Sequence, residues 1–184
     1  MAGSVYDEEA RRKYLNAAEG KRFLAALSEL PHDRAIFCRV LHLTGCRISE
    51  ALELTSERVD LADGVLRIRS LKKRKAKVYR RVPISKELQK SLLELASSPP
   101  NQRIFNFSRP TGWRVIKQAM EFAKIEGVQA TSKGLRHGFG VRCAMAKIPL
   151  NLIQKWMGHS SPETTAIYLD IMDDEERQFI QKTW

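Results

Sequence analysis

Cysteine is scarce in this chain and its pattern is uninformative for bridging. Cys38, Cys46 and Cys143 are odd in number, and none forms a Cys-x-x-Cys step. They do not combine with the histidines at metal-ligand spacing, which removes the sequence signature of a zinc site. They read as small buried residues of a reduced, cytoplasmic protein. No apolar run approaches the roughly 20 residues needed to cross a bilayer, so the reading includes no membrane partner. Met1 to Arg12 is polar and charged, without the apolar stretch of a signal peptide. Internal repeats and low-complexity tracts are also missing. What remains is 184 residues with 43% hydrophobic content, enough for one ordinary core.

Acidic residues are in deficit. Thirty-two Lys and Arg stand against 21 Asp and Glu, a formal charge of +11 with a pI near 9.8. Such an excess favours polyanionic partners, because each phosphate neutralised releases condensed counterions.

The expected organisation is mainly helical with a small antiparallel sheet, an α+β domain. Residues 1–14 have weak periodicity and read as a tail or linker. Asn16 and Glu19 make a near capping box ahead of Phe23, Leu24 and Leu27. Pro31 opens a second helix that Gly45 ends, and Ile48 to Leu54 reads as a short third. Val65 to Arg69 and Val78 to Ile84 resemble two strands. Helices return at Lys86–Leu95 behind Ser85, then at Trp113–Lys124, Lys133–Ala146, Leu150–Met157, Pro162–Met172 and Asp174–Lys182.

Four clusters carry unusual cations or nucleophiles. In Thr44-Gly45-Cys46-Arg47-Ile48-Ser49-Glu50 an arginine precedes a carboxylate by three residues, a spacing that can fix a guanidinium. Its bland reading is a surface ion pair. From Arg67 to Arg81 there are nine Lys or Arg and no acid. Most of these suit a solvated hairpin tip or nonspecific phosphate contact, with one lysine at the strand end able to reach a site. No aromatic stacking motif accompanies this hairpin, which disfavours an RNA-binding module. In Lys133-Gly134-Leu135-Arg136-His137 the Lys and Arg lie one helical turn apart, and His137 reads as a packed supporting residue. Finally, Gly158 and Pro162 bracket a turn holding His159, with Tyr168 on the following helix. Taken alone, such a tyrosine is more often a core residue than a reactive one.

Gly-Cys-Arg-Ile-Ser-Glu, a basic hairpin running into Arg-Arg-Val-Pro-Ile, Leu-Arg-His, then Gly-His with Thr-Thr-x-x-Tyr: in this order the chain resembles the tyrosine recombinase, or phage integrase, family from about Leu15 to Tyr168. The resemblance implies that family's catalytic-domain fold, a DNA breaking-rejoining enzyme, over residues 15–172. It implies Arg47 and Arg136 as catalytic arginines, His159 as the residue preceding the nucleophile, and Tyr168 as the nucleophile. Lys72 is taken as the hairpin lysine, although the adjacent Lys73 fits nearly as well. Lys73, Arg74, Lys75 and Lys77 are then DNA contacts. Lys133 stands where most members carry His, a departure that changes the proton route, since lysine is a poor general base near neutral pH. Glu50, His137 and Gly158 match supporting positions.

The implied reaction is site-specific recombination through a covalent 3′-phosphotyrosyl intermediate, with no cofactor and no metal. Its implied partners are double-stranded DNA and further copies of the chain, four on two duplexes passing through a Holliday junction. Residues 173–184, acidic with a small apolar face, are expected to form a C-terminal helix that docks on a neighbouring protomer. About fifteen residues precede the match, where family members carry an N-terminal DNA-binding domain; the sequence leaves open whether one was removed. Two other readings stand beside this one: a noncatalytic DNA-binding or architectural protein of the same fold, and a relaxing enzyme of the type IB topoisomerase kind.

Overall fold

A computed structural model of the chain describes residues 4–71, 78–96, 99–169, 181 and 183–184. Eight α-helices and one three-stranded sheet occupy the described residues. The helices are α1 (Ala17–Ala26), α2 (His32–Thr44), α3 (Ile48–Leu52), α4 (Lys86–Leu95), α5 (Arg109–Phe122), α6 (Ser132–Met145), α7 (Leu150–Met157) and α8 (Glu163–Ala166). The strands are β1 (Val59–Asp60), β2 (Val65–Arg69) and β3 (Tyr79–Pro83), antiparallel in the order β1-β2-β3. None of the helices is long and apolar enough to cross a membrane.

Local chemistry accounts for most boundaries. Asn16 accepts from the Glu19 amide while the Glu19 carboxylate reaches back to the Asn16 amide, so the expected capping box starts α1. Ser85 caps α4 with its hydroxyl, which accepts from the Leu88 amide. At Ser108 a further cap, with Pro110 in the first turn, starts α5 four residues before the expected Trp113. Gly45 ends α2 in the left-handed region at φ 62°. That conformation favours glycine, and a Cβ there would also run into the Phe139 ring.

The sheet follows a two-residue period. Arg67 pairs with Arg81 on the exposed face, while Leu66, Ile68, Arg80 and Val82 point inward. β1 was not expected; its two residues pair with Leu66 and Val65.

Two apolar clusters hold the domain together. The larger is built from α1 to α5 and the sheet, around Phe23, Phe37, Leu66, Leu88 and Phe105. The smaller gathers Phe139 and Val141 of α6, Ile153 and Met157 of α7, and Ile167 and Tyr168. Helix α6 belongs to both, since Leu135 faces the first cluster and Phe139 the second.

Two expectations need revision. Residues 4–14 do not trail away: Val5 and Tyr14 are buried in the smaller cluster, Lys13 donates to the Val5 carbonyl, and Arg12 pairs with Glu19. The nearly continuous charged run from Asp7 to Lys13 hid this packing. Within the described part of the helix expected over Pro162–Met172, which ends at residue 169, only Glu163–Ala166 is helical, and Tyr168 lies in the turn after it. Most of the expected helix at Asp174–Lys182, and the hairpin tip Lys72–Lys77, lie outside the described residues.

Candidate active site

The first arginine sits where α2 stops and α3 starts. Arg47 is the N-cap residue of α3, and its amide donates to Glu50 Oε2 at 2.9 Å. Its Nη1 donates to Glu50 Oε1, also at 2.9 Å. Glu50 is only 1% exposed, whereas the Arg47 side chain is 30% exposed. This is therefore not a surface ion pair: a buried carboxylate anchors a half-exposed guanidinium. Burial alone would raise the Glu50 pKa, but hydrogen bonds and charge from Arg80, then from Arg47, hold it below the ordinary carboxylate value.

The second arginine is fixed by helix ends. Arg136 Nη1 donates to the Gly45 carbonyl, and Nη2 donates to the Met157 carbonyl at 2.7 Å. These are C-terminal carbonyls of α2 and α7, which lack intrahelical donors and carry the negative end of the helix dipole. Burial, aided by Arg47, lowers the Arg136 pKa to about 10, so the group stays charged at neutral pH.

His159 follows Gly158, whose φ of 66° ends α7 and turns the chain. Its Nδ1 is 2.8 Å from the Thr165 hydroxyl, and its ring lies nearly parallel to that of Tyr168, with centroids 6.3 Å apart. Burial, with the charges of Arg136 and Arg47, lowers its pKa to about 3.

Tyr168 is 1% exposed, packed in the smaller cluster. Its hydroxyl is 3.0 Å from His137 Nδ1. Burial pushes its pKa up to about 12, against the downward pull of Arg136 and Arg47. His137 is pushed down to about 4 by burial and then by Lys133, Arg136 and Lys13, so at neutral pH it is an uncharged imidazole beside a phenol. The supporting position assigned to His137 is thus in contact with the tyrosine itself.

Arg47, Lys133, Arg136, His137, His159 and Tyr168 line one cleft of about 370 Å³, with Arg109, Ser132 and Thr164 on its walls. A second cleft of about 650 Å³, between β3 and α7, shares Arg47, His159 and Thr164 with it. The structure thus brings together the residues singled out in three of the four sequence clusters. Lys72, Lys73, Arg74, Lys75 and Lys77 lie outside the described residues.

Sequence reasoning missed three positions. Arg80 was grouped with the solvated hairpin, yet its side chain is 5% exposed and bonded to Glu50. Strand alternation carried the signal, because Arg80 shares a face with Val82. Thr165 is fully buried under His159. At Gly140, a Cβ would overlap the Tyr168 ring.

Residues 13–175 match the phage integrase family. The chain belongs to the phage integrase family. Among curated relatives of this family domain, tyrosine recombinase XerD of Corynebacterium glutamicum is 32% identical over 159 residues, covering 79% of this chain and 50% of that protein. Among solved structures, XerA recombinase superposes with a TM-score of 0.75 at 28% identity, over 92% of this chain and 62% of that one. The catalytic domain of bacteriophage HP1 integrase gives 0.68 at 28% identity, over 88% of this chain and 90% of that one. This integrase-family chain therefore spans about half the length of the XerD relative and nearly all of an isolated catalytic domain.

Proposed function

We propose that this integrase-family chain is the catalytic part of a site-specific DNA recombinase, cutting and rejoining strands through Tyr168. The observation that carries this reading is the convergence of two guanidiniums, an imidazole and the tyrosine on one cleft.

A phosphodiester under attack gains charge on its nonbridging oxygens. Arg47, anchored to Glu50 through its amide and Nη1 yet 30% exposed, and Arg136, held by two helix ends, supply positive charge where that develops. His159 adds a hydrogen-bonding ring on the same cleft. Tyr168 Oη attacks phosphorus and passes its proton to the neutral ring of His137, whose Nδ1 lies 3.0 Å from that oxygen. The bond from phosphorus to the 5′-oxygen breaks, and Lys72 is assigned the proton donation to that leaving group. The product is a 3′-phosphotyrosyl link whose energy is available for religation. A ring 1% exposed cannot reach a phosphate without movement. The short α8 and the turn beyond it are the elements that would shift.

Double-stranded DNA is the proposed substrate, consistent with the +11 charge. Further copies of the chain are the proposed partners during strand exchange, and the cytoplasm the proposed location. To separate a recombinase from a relaxing enzyme, the chain is given a preformed Holliday junction and, separately, supercoiled plasmid. Junction resolution dependent on Tyr168 supports the proposal. Supercoil relaxation without strand exchange would replace it with the topoisomerase-like reading.

A further inference from the structure

Arg80 is a buried cation that this mechanism leaves unused. It stands on the inner face of β3, opposite Ile68. Nη1 and Nη2 donate to Glu50 Oε1 and Oε2 at 3.2 and 2.6 Å, Nε donates to the Trp156 carbonyl at 2.7 Å, and Nη1 lies 3.4 Å from the Ser70 hydroxyl. One planar group therefore touches α3, the sheet and the last turn of α7.

Glu50 is shared. Oε1 accepts from Nη1 of Arg47 and Nη1 of Arg80, and Oε2 accepts from the Arg47 amide and Nη2 of Arg80. Two guanidiniums and one carboxylate leave one positive charge in surplus. Arg80 is sealed, with 5% exposure, and Arg47 opens on the cleft with 30%, so the surplus is expressed at Arg47. Without Arg80, a carboxylate at 1% exposure would have Arg47 as its counter-ion. A buried charge left without its partner costs several kcal/mol, more than a screened phosphate contact returns, so Glu50 would hold Arg47 back.

We infer that Arg80 is a positioning residue for Arg47: by neutralising Glu50 it leaves the Arg47 guanidinium able to grip a phosphate with donors other than the Nη1 that Glu50 holds. The inference rests on the reading that Arg47 binds phosphate.

The test needs no knowledge of the target sequence. Binding to a fluorescent duplex of arbitrary sequence is followed against salt, where each neutralised phosphate contributes about 0.9 to the log–log slope. Arg47→Ala lowers the slope by about one contact, Arg80→Gln lowers it equally, and the double variant lowers it no further. Glu50→Gln combined with Arg80→Gln restores the wild-type slope, because no carboxylate remains to capture Arg47. An unchanged slope in Arg80→Gln, or additive losses in the double variant, overturns the inference. An unchanged slope in Arg47→Ala overturns the phosphate reading itself, and the inference with it. If Arg80→Gln does not fold, Arg80→Lys decides. Lysine keeps the neutralising charge, so the rate of covalent adduct formation stays within about tenfold of wild type. A loss as deep as that of Arg47→Ala overturns the inference.

Discussion

Replacing Gly140 by alanine tests the placement of the tyrosine without replacing any group assigned to the chemistry. A Cβ at 140 would lie 2.5 and 2.7 Å from Cε2 and Cε1 of Tyr168, where ordinary contact begins at 3.4 Å. The ring must therefore retreat by about 1 Å, against a core at close-packed density. Overpacking of this kind costs about 1–3 kcal/mol. Alanine returns up to about 1 kcal/mol through its better helix propensity. The net loss, about 0–3 kcal/mol, lowers Tm by up to about 12 °C for a domain of this size. Tyr168 leaves this seat to react, so a start displaced by about 1 Å is carried into the attack geometry, where a misplacement of that size costs on the order of 10²-fold in rate. Gly140→Ala is thus expected to fold, melt no more than about 12 °C earlier, and form the covalent adduct about 100-fold more slowly in a single-turnover assay on nicked DNA. A wild-type rate would refute the idea that the observed seat of Tyr168 is tied to its reaction.

Three further outcomes follow from the same geometry. His42 is buried beside Phe23, and burial, helped by Arg142, lowers its pKa to about 3 from 6.5. The neutral folded form gives its stability in full above pH 6.5 and loses it as pH falls towards 3. The loss is about 2 kcal/mol at pH 5, so urea unfolding of His42→Leu should show a flatter pH dependence than wild type between 6.5 and 5. Gly158→Ala would strain a residue at φ 66° and place a Cβ 3.1 Å from the Arg80 guanidinium, so it should lose about 1–2 kcal/mol in denaturant melts and slow adduct formation as His159 shifts. Between the two hairpin lysines, Lys72→Ala should depress cleavage by at least about 100-fold and Lys73→Ala by less than about tenfold, and the reverse ranking would move the acid to Lys73.

Much of the fold was legible because its signals are local. Asn16 with Glu19, Ser85, Gly45 and Gly158 each act within a few residues, so helix ends could be placed from spacing alone. The Arg47–Glu50 pair was legible for the same reason. What escaped depends on contacts distant in sequence. Arg80 looks like one more cation in a basic run; strand alternation turns it inward with Val82, and only the packing of that face brings it to Glu50. Gly140 has meaning only because the Tyr168 ring folds back over it. The packing of Val5 and Tyr14 against α6 and α7 needs a partner surface that residues 4–14 cannot announce by themselves. Tyr168 itself turned out to be both a core residue and the candidate nucleophile; the sequence reading had set these as alternatives.

The central claim is that Tyr168 is the group that joins DNA covalently. The most direct measurement incubates the chain with nicked or bulged duplexes, and with preformed Holliday junctions, then isolates protein-bound DNA under denaturing conditions and identifies the linked peptide by mass spectrometry. The account predicts a protease-sensitive adduct on the peptide containing Tyr168, absent in Tyr168→Phe although that variant still binds DNA. An adduct on another residue, or DNA binding without any adduct on every substrate, would contradict it and favour a noncatalytic DNA-binding protein of the same fold.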